Sequence, residues 1–339
     1  MKILWQRIPL ALARPFRTAT AHRTHKETHW VRVQHDGLEG WGEAVPVDTY
    51  GQSLETAEAA LPGMAELLGN LSPYQIEKSI HALIASFASQ RATIAAIDAA
   101  IHDWLGKRHG LPVCRWLGLD PDDLPTSSFT IGIDDLDTIA EKVREAVEYP
   151  ILKVKLGTPD DERILKTVRQ GAPDKRIRVD ANTAWRGDEA PERVRMLASF
   201  GVEWLEQPVP RDDLDGLRRY KECRSIPVLA DESCVTPADV VAVAPHVDGI
   251  NIKMSKCGGL REAIRMIHLA RGLGLRVMLG CMIESSLGIA AAAHLGPMVD
   301  YLDLDGHVLL ASEPFTGLSG AGGRLAIAHG PGLGIRLRD

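Results

Sequence analysis

The chain has 339 residues, of which 45% are hydrophobic and 25% are charged, and its formal net charge is −6. This length and composition predict a globular protein of one large domain or two smaller ones, and the acidic balance argues against a nucleic-acid partner. The five cysteines are scattered without a C-x-x-C pair, which favours reduced thiols in the cytoplasm, and the apolar stretches are too short to predict a membrane partner.

The N-terminal third of the chain changes from strand patterns to helix patterns. Residues 1–50 predict antiparallel strands, with a turn at Asp36–Gly37 between the runs 28–33 and 38–44. Helical periodicity then occupies three segments, residues 54–68, 73–87 and 92–107. Strands followed by helices predict an α+β unit at this end of the chain.

From residue 127 onwards, short apolar strands alternate with helix-like segments. The predicted strands occupy residues 127–131, 151–157, 177–180, 202–206, 228–231, 249–253, 276–280 and 301–305. Such alternation predicts a parallel sheet. With about eight units, a closed (β/α)8 barrel is the natural solution, and its catalytic groups lie at the C-terminal ends of the strands.

Charged residues recur at the ends of these predicted strands. Lys153 and Lys155 share one face of their strand, because strand side chains alternate. Two buried ammonium groups are costly unless anions lie nearby. Asp180, Glu206 and Asp231 follow at intervals of 25, 26 and 25 residues from Lys155. Three converging carboxylates repel one another unless a hard cation lies between them, and all-oxygen ligation suits Mg²⁺; the alternative is that each acid caps a helix or pairs with an arginine.

A second lysine position completes a catalytic arrangement. Lys253 ends the predicted strand 249–253, which lies across the barrel from the strand of Lys155. A metal that chelates a carboxylate stabilises the enediolate formed when an α-proton leaves. A lysine near a divalent cation and a second lysine is expected to have a lowered pKa, which suits a base. Two opposed bases predict inversion at the α-carbon, whereas the alternative for Lys253 is a structural salt bridge.

Five motifs together resemble the enolase superfamily in its muconate-lactonizing subgroup. They are Lys153-Val154-Lys155, Asp180-Ala181-Asn182, Glu206-Gln207-Pro208, Asp231-Glu232-Ser233, and Asn251-Ile252-Lys253 followed by Gly258-Gly259. The resemblance implies an α/β fold with an N-terminal α+β capping domain over residues 1–120. It also implies a modified (β/α)8 (TIM-type) barrel over 121–310 and a C-terminal segment, 311–339, that packs back on the capping domain.

The same resemblance implies roles for the charged residues. One Mg²⁺ per subunit would be bound by Asp180, Glu206 and Asp231. Lys155 and Lys253 would be the acid/base pair, and Lys153 would steady the substrate carboxylate.

Two aspartates near the last predicted strand narrow the expected substrate. Asp303 and Asp305 lie two residues apart, and together they suit a substrate ammonium group. They resemble the D-x-D signature of dipeptide epimerases, in which the pair holds the free amino terminus; the alternative is helix capping. By the same resemblance, Thr130, Cys281 and Ile283 would line the dipeptide pocket.

The side chain of the second dipeptide residue is left open. Members that act on L-Ala-D/L-Glu carry an arginine in an early loop, and Thr20 or Ala21 occupies that place here, with Arg23 nearby. A neutral or different second residue therefore remains an alternative to glutamate. Glu284 could meet a cationic side chain or be a solvated loop acid, and the second interpretation is favoured.

These features predict a Mg²⁺-dependent dipeptide epimerase that inverts the C-terminal residue's α-carbon by two-base 1,1-proton transfer. The dipeptide would be L-Ala-D/L-Glu or a related L-Xaa-Xaa. A role in peptidoglycan peptide metabolism is implied by the resemblance alone. The alternatives are an o-succinylbenzoate synthase or muconate-type cycloisomerase, neither of which requires the D-x-D pair, and a non-catalytic ligand-binding protein, which needs no opposed lysines. A homo-oligomer stays open.

Overall fold

The computed structural model describes residues 1–338. Its N-terminal unit begins with an antiparallel sheet in the order β1 (Lys2–Arg17), β2 (His22–His35) and β3 (Leu38–Ala44). Asp36 and Gly37 turn the chain between β2 and β3 with φ angles of 46° and 75°. Glycine adopts this left-handed region without steric cost, and aspartate adopts it more readily than most other residues. The predicted turn is therefore confirmed.

Four helices complete this unit. They are α1 (Leu54–Leu68), α2 (Ile76–Phe87), α3 (Arg91–His109) and α4 (Val113–Trp116). Helix α3 packs so closely on β3 that side chains are excluded at two positions. A Cβ atom at Gly40 would lie 1.9 Å from the carbonyl oxygen of Ala100, and one at Gly42 would lie 2.0 Å from that of Ala96. Glycine at both positions is therefore a requirement of the contact.

The remainder of the chain is dominated by a parallel barrel. Its strands are β4 (Phe129–Ile131), β5 (Ile151–Lys155), β6 (Arg176–Asp180), β7 (Val202–Glu206), β8 (Val228–Ala230), β9 (Gly249–Ile252), β10 (Arg276–Gly280) and β11 (Tyr301–Asp303). These eight strands neighbour one another in chain order. Ser127 forms a parallel bridge with Leu302, which brings the first and last strands together. The predicted barrel is confirmed.

Helices follow the strands around the outside of the barrel. They are α5 (Leu136–Glu145), α6 (Asp161–Gly171), α7 (Ala190–Ser199), α8 (Leu214–Glu222), α9 (Pro237–Val243), α10 (Met254–Cys257), α11 (Leu260–Gly272) and α12 (Ser286–Ala293). Outward-facing strand residues such as Val154 and Val179 are fully buried in the main core. Within residues 1–338, no helix combines the length and the apolar content that crossing a membrane needs.

The barrel interior is filled below the level of the predicted site. Trp204 and Tyr301 pack together there with Leu229 and Met278. The buried guanidinium of Arg178 lies 5.3 Å from the Trp204 ring and 5.0 Å from the Tyr301 ring, a favourable cation–π geometry. This layer fills the barrel beneath the C-terminal ends of the strands.

The last part of the chain contacts both units. It forms the short strands β12 (Phe315–Thr316), β13 (Leu318–Ser319), β14 (Ala326–Ile327) and β15 (Arg336–Leu337). The Phe315 ring centroid lies 4.7 Å from that of Trp30 in β2, whereas the Gly323 carbonyl accepts a hydrogen bond from the Ser127 N–H at the barrel. The division of the chain at residues 120 and 310 stays a prediction.

Candidate active site

The three predicted metal ligands converge at the C-terminal edge of the barrel. Asp180 and Glu206 are the last residues of β6 and β7, and Asp231 directly follows β8. All three are fully buried. One carboxylate oxygen from each lies within 4.8 Å of the others. Their convergence follows from the topology, since β6, β7 and β8 are adjacent parallel strands.

The charges of these acids fit a hard divalent cation. Burial raises the pKa of the Glu206 carboxyl, and the charge of Asp180 adds to this effect, so that the pKa is about 7. Burial also disfavours ionised Asp231, but Lys253 and Lys256 outweigh it and hold the pKa of Asp231 well below its usual range. A donor set made only of carboxylate oxygens matches the preference of Mg²⁺.

Lysine ammonium groups surround the three acids. In β5, the Nζ atom of Lys155 lies 2.5 Å from Oδ2 of Asp180, and Nζ of Lys153 lies 2.6 Å from Oε2 of Glu206. Lys253, which directly follows β9, places Nζ 2.7 Å from Oδ2 of Asp231. Strands β5 and β9 are four apart in the eight-stranded order, so Lys155 and Lys253 approach the acids from opposite sides of the barrel.

Neighbouring carboxylates raise the pKa of Lys253 and Lys153. Burial disfavours the charged form of Lys253, but the charges of Asp231 and other neighbours outweigh it, and the pKa lies well above the usual range. Burial likewise disfavours the charged form of Lys153, but the carboxylates, above all Asp303, outweigh it and raise the pKa of Lys153 well above its usual range. The lowering expected from sequence refers to a lysine beside a bound divalent cation. A divalent cation on the same carboxylates opposes the upward shift, because like charges disfavour an ammonium group.

The two aspartates of the D-x-D pair form an acidic end to the site. Asp303 accepts hydrogen bonds from the Ser128 hydroxyl and from the Lys153 ammonium, each at 2.6 Å. Oδ2 of Asp305 accepts one from the Thr130 N–H, also at 2.6 Å. Burial and the charge of Asp303 raise the pKa of Asp305 to about 6. The pair therefore offers a buried, negatively charged surface suited to an ammonium group.

A cavity of about 350 Å³ lies over these groups. The predicted substrate-contacting and acid/base residues all line it: Thr130, Lys153, Lys155, Lys253, Cys281, Ile283, Asp303 and Asp305. The end of β1, the β1–β2 connection and the turn before α1 supply its outer wall, through residues such as Phe16, Thr20 and Tyr50 respectively. The N-terminal unit and the barrel therefore build the cavity together.

Lys26 is a cavity residue that was not predicted from the sequence. Arg23, which the sequence placed near the expected specificity arginine, lines the cavity as well, and the Lys26 ammonium donates to the Pro46 carbonyl at 2.8 Å. Burial, together with the charge of Arg23, lowers the pKa of Lys26 to about 8. Glu232 also faces the cavity, although its motif had been recognised. No local pattern marks Lys26, because its role depends on how β2 sits over the barrel.

Glu284 differs from its expected environment. It is only 5% exposed and accepts a hydrogen bond from the Met282 N–H. Burial, with the nearby charge of Glu43, raises the pKa of Glu284 to about 8. The prediction of a solvated loop acid is therefore wrong, since the N-terminal unit covers this loop.

Comparison with known proteins matches nearly the whole chain. The family model for the mandelate racemase/muconate lactonizing enzyme N-terminal domain matches residues 4–118, and the enolase C-terminal domain-like model matches residues 136–339. The L-Ala-D/L-Glu epimerase of Bacteroides thetaiotaomicron is 36% identical over 337 residues, covering 99% of this chain and 88% of that protein.

Solved structures agree with these matches. The substrate-liganded L-Ala-D/L-Glu epimerase from Bacillus subtilis is 31% identical, with a TM-score of 0.94 and 99% of each chain covered. The dipeptide epimerase from Enterococcus faecalis, in complex with Mg and L-Leu-L-Tyr, is 32% identical, with a TM-score of 0.94 and 98% of each chain covered. The chain therefore belongs to the mandelate racemase/muconate lactonizing enzyme family of the enolase superfamily.

Proposed function

We propose that this protein is a Mg²⁺-dependent dipeptide epimerase, which inverts the α-carbon of the C-terminal residue by 1,1-proton transfer. The observation that carries the proposal is the position of Lys155 and Lys253 on opposite strands, with three carboxylates between them and the Asp303–Asp305 pair at one end of the same cavity. The names of the relatives support the same activity.

The cavity offers a separate group for each charge of a dipeptide. Asp303 and Asp305 would bind the substrate ammonium group, with charge-assisted hydrogen bonds. Asp180, Glu206 and Asp231 would hold Mg²⁺, which, when bound, supplies positive charge that stabilises the carboxylate of the substrate as its α-proton leaves. Lys153 lies among these groups and would balance the charge of the carboxylates on either side of it.

The proton transfer is assigned to the two opposed lysines. The neutral amine of one lysine takes the α-proton, and the electron pair of the broken C–H bond moves into the carboxylate group. The ammonium of the other lysine then donates a proton to the opposite face of the α-carbon, which inverts it. Lys155 and Lys253 are 8% and 7% exposed, so little water competes for these protons.

The charges of the outer wall favour an acidic side chain on the C-terminal residue. Arg23 and Lys26 both line the cavity, and a carboxylate side chain would pair with them. The alternative of a neutral side chain is represented by the Enterococcus faecalis relative, whose complex contains L-Leu-L-Tyr. An acidic preference would suit a peptidoglycan-derived dipeptide. We place the enzyme in the cytoplasm, as its scattered cysteines suggest.

Proton NMR of an L,L-dipeptide panel with Mg²⁺ in D₂O tests this proposal. We expect epimerisation with deuterium at the C-terminal α-position, fastest for the two acidic members of a matched panel of L-Ala-L-Glu, L-Ala-L-Asp, L-Ala-L-Gln, L-Ala-L-Leu and L-Ala-L-Lys. Lys155→Ala and Lys253→Ala should each abolish epimerisation, and each should lose exchange from the epimer whose α-proton faces the missing lysine.

A surface variant controls for general effects of lysine removal. Lys166→Ala changes an exposed residue of α6 and should retain full activity. If no dipeptide exchanges its α-proton, the epimerase proposal fails, and cycloisomerase and synthase substrates become the next to test.

A further inference from the structure

We propose that Lys256 is a positioning residue that fixes the carboxylate of Asp231 for Mg²⁺ binding. This inference rests on the proposed function, because it assumes that Asp231 is a metal ligand. It assigns a role to a lysine that neither lines the cavity nor belongs to the acid/base pair.

Four oxygens surround the Lys256 ammonium. Its Nζ atom donates to Oδ1 of Asp231 and lies 2.6 Å from the carbonyl oxygen of the same residue. It also lies 2.9 Å from the carbonyl of Asn251 and 3.1 Å from that of Cys234. The side chain is 1% exposed. Lys256 thus joins the end of β9 to the segment that follows β8, and Asp231 is held by both its backbone and its side chain.

The two oxygens of Asp231 have different partners. Lys256 contacts Oδ1, whereas Oδ2 lies 2.7 Å from the Lys253 ammonium at the cavity. Fixing Oδ1 from behind therefore directs Oδ2 towards the neighbouring carboxylates of Asp180 and Glu206. Groups that orient metal ligands in this way commonly change metal affinity by roughly 10–100-fold when they are removed.

The local backbone explains how Lys256 reaches this position. It lies in the single-turn helix α10, directly after Lys253 and the end of β9. Gly258 ends α10 in the left-handed region with a φ angle of 104°, where glycine carries no steric cost. The tight turn folds α10 back against the barrel edge, so that Lys253 faces the cavity and Lys256 faces the segment behind it.

Two effects of removing Lys256 oppose each other. Without its ammonium, residue 256 no longer repels a bound cation, and this raises the metal affinity. Loss of the hydrogen bond leaves the buried Asp231 carboxylate free to rotate and to bind a proton, which lowers metal affinity. The second effect should dominate, because the Asp231 carboxylate lies between Lys256 and the site and already neutralises the ammonium.

Magnesium titration by calorimetry, without substrate, tests the inference. Lys256→Met should bind Mg²⁺ at least about 10-fold more weakly than the wild type. Its activity should recover as the Mg²⁺ concentration rises, with the dipeptide KM at saturating Mg²⁺ unchanged within about threefold. A role in overall stability alone would not produce this recovery.

Lys221→Met is the matched control. The Lys221 ammonium also donates to backbone carbonyls, those of Val247 at 2.8 Å and Pro245 at 3.3 Å, but these lie at the opposite end of the barrel. Its removal should lower thermal stability without changing Mg²⁺ affinity. If Lys256→Met does not fold, Lys256→Gln keeps a donor without the charge and should weaken Mg²⁺ binding less.

The outcomes separate this inference from the proposed function. Wild-type protein that binds no Mg²⁺ would remove the metal role and this inference with it. The positioning role alone would be overturned if the wild type binds Mg²⁺ and Lys256→Met binds it with an affinity within twofold of the wild type, or more tightly.

Discussion

The Nζ atom of Lys153 lies 2.6 Å from Oδ2 of Asp303, although the two residues are 150 positions apart in the chain. The same ammonium lies 2.6 Å from Oε2 of Glu206. Lys153 therefore connects the acidic end of the cavity to the carboxylates proposed to bind the metal. Because the Lys153 side chain is 1% exposed, the charge of its ammonium is compensated by these acids and not by water.

Asp303→Asn should weaken dipeptide binding and leave Mg²⁺ binding largely intact. The change removes a charged acceptor for the substrate ammonium, a loss of about 2 kcal/mol or roughly 30-fold in KM. Calorimetric Mg²⁺ affinity should change less than about threefold, since Lys153 keeps its contact with Glu206. Asp300→Asn, at the other end of β11, where Asp300 pairs with Arg271, should leave the dipeptide KM unchanged. Equal losses of dipeptide and Mg²⁺ binding in Asp303→Asn would contradict an ammonium-binding role.

The KM for a dipeptide with a neutral side chain should rise as pH falls below about 6. Burial and the charge of Asp303 raise the pKa of Asp305 to about 6, so below this pH Asp305 becomes neutral and loses its attraction for the substrate ammonium. The dipeptide amine stays protonated throughout, with an ordinary pKa of about 8. KM measured from pH 5 to 7 should therefore increase roughly 10-fold at the acidic end. Asp305→Asn should have a high KM with no such step, and a flat wild-type profile would rule out this role for Asp305.

Lys26→Met should reduce the preference for an acidic C-terminal residue. We expect kcat/KM for L-Ala-L-Glu to fall about 10-fold, the effect of a lost charge-assisted hydrogen bond, while that for L-Ala-L-Gln changes less than twofold. Burial and Arg23 lower the pKa of Lys26 to about 8, so the wild-type preference for Glu over Gln should also decline above that pH. Lys2→Met, at an exposed position of β1, provides the control. Equal losses of kcat/KM for both dipeptides would mean that Lys26 supports the structure of the cavity's outer wall and does not select an acidic side chain.

Sequence patterns located the barrel and its charged residues because both signals are local. Strands Val202–Glu206 and Arg276–Gly280 have the predicted bounds, since buried parallel strands are short, mostly apolar segments that the sequence marks locally. Asp231 and Lys253 each lie one residue beyond a strand, where the parallel topology places active-site groups. Neither position required knowledge of distant contacts.

The unpredicted features depend on contacts between distant parts of the chain. The hydroxyl and the N–H of Ser285, at the start of α12, donate to Glu43 in β3 across 242 residues. This approach of the N-terminal unit covers Glu284, which the sequence had suggested would be solvated. Lys256 was missed for a related reason, because three of its four acceptors are backbone carbonyls, which carry no sequence signal.

The closure of the barrel between Ser127 and Leu302 has a consequence for protein synthesis. The chain emerges from the ribosome N-terminus first, so the edge of β4 has no neighbouring strand until β11 is translated. Until then, β4 presents an unpaired edge, a site for aggregation, and Lys153 is without the partner that it finds in Asp303. Chains released before about residue 302 should therefore be targets for chaperones, and a functional enzyme should form only after β11 has been translated.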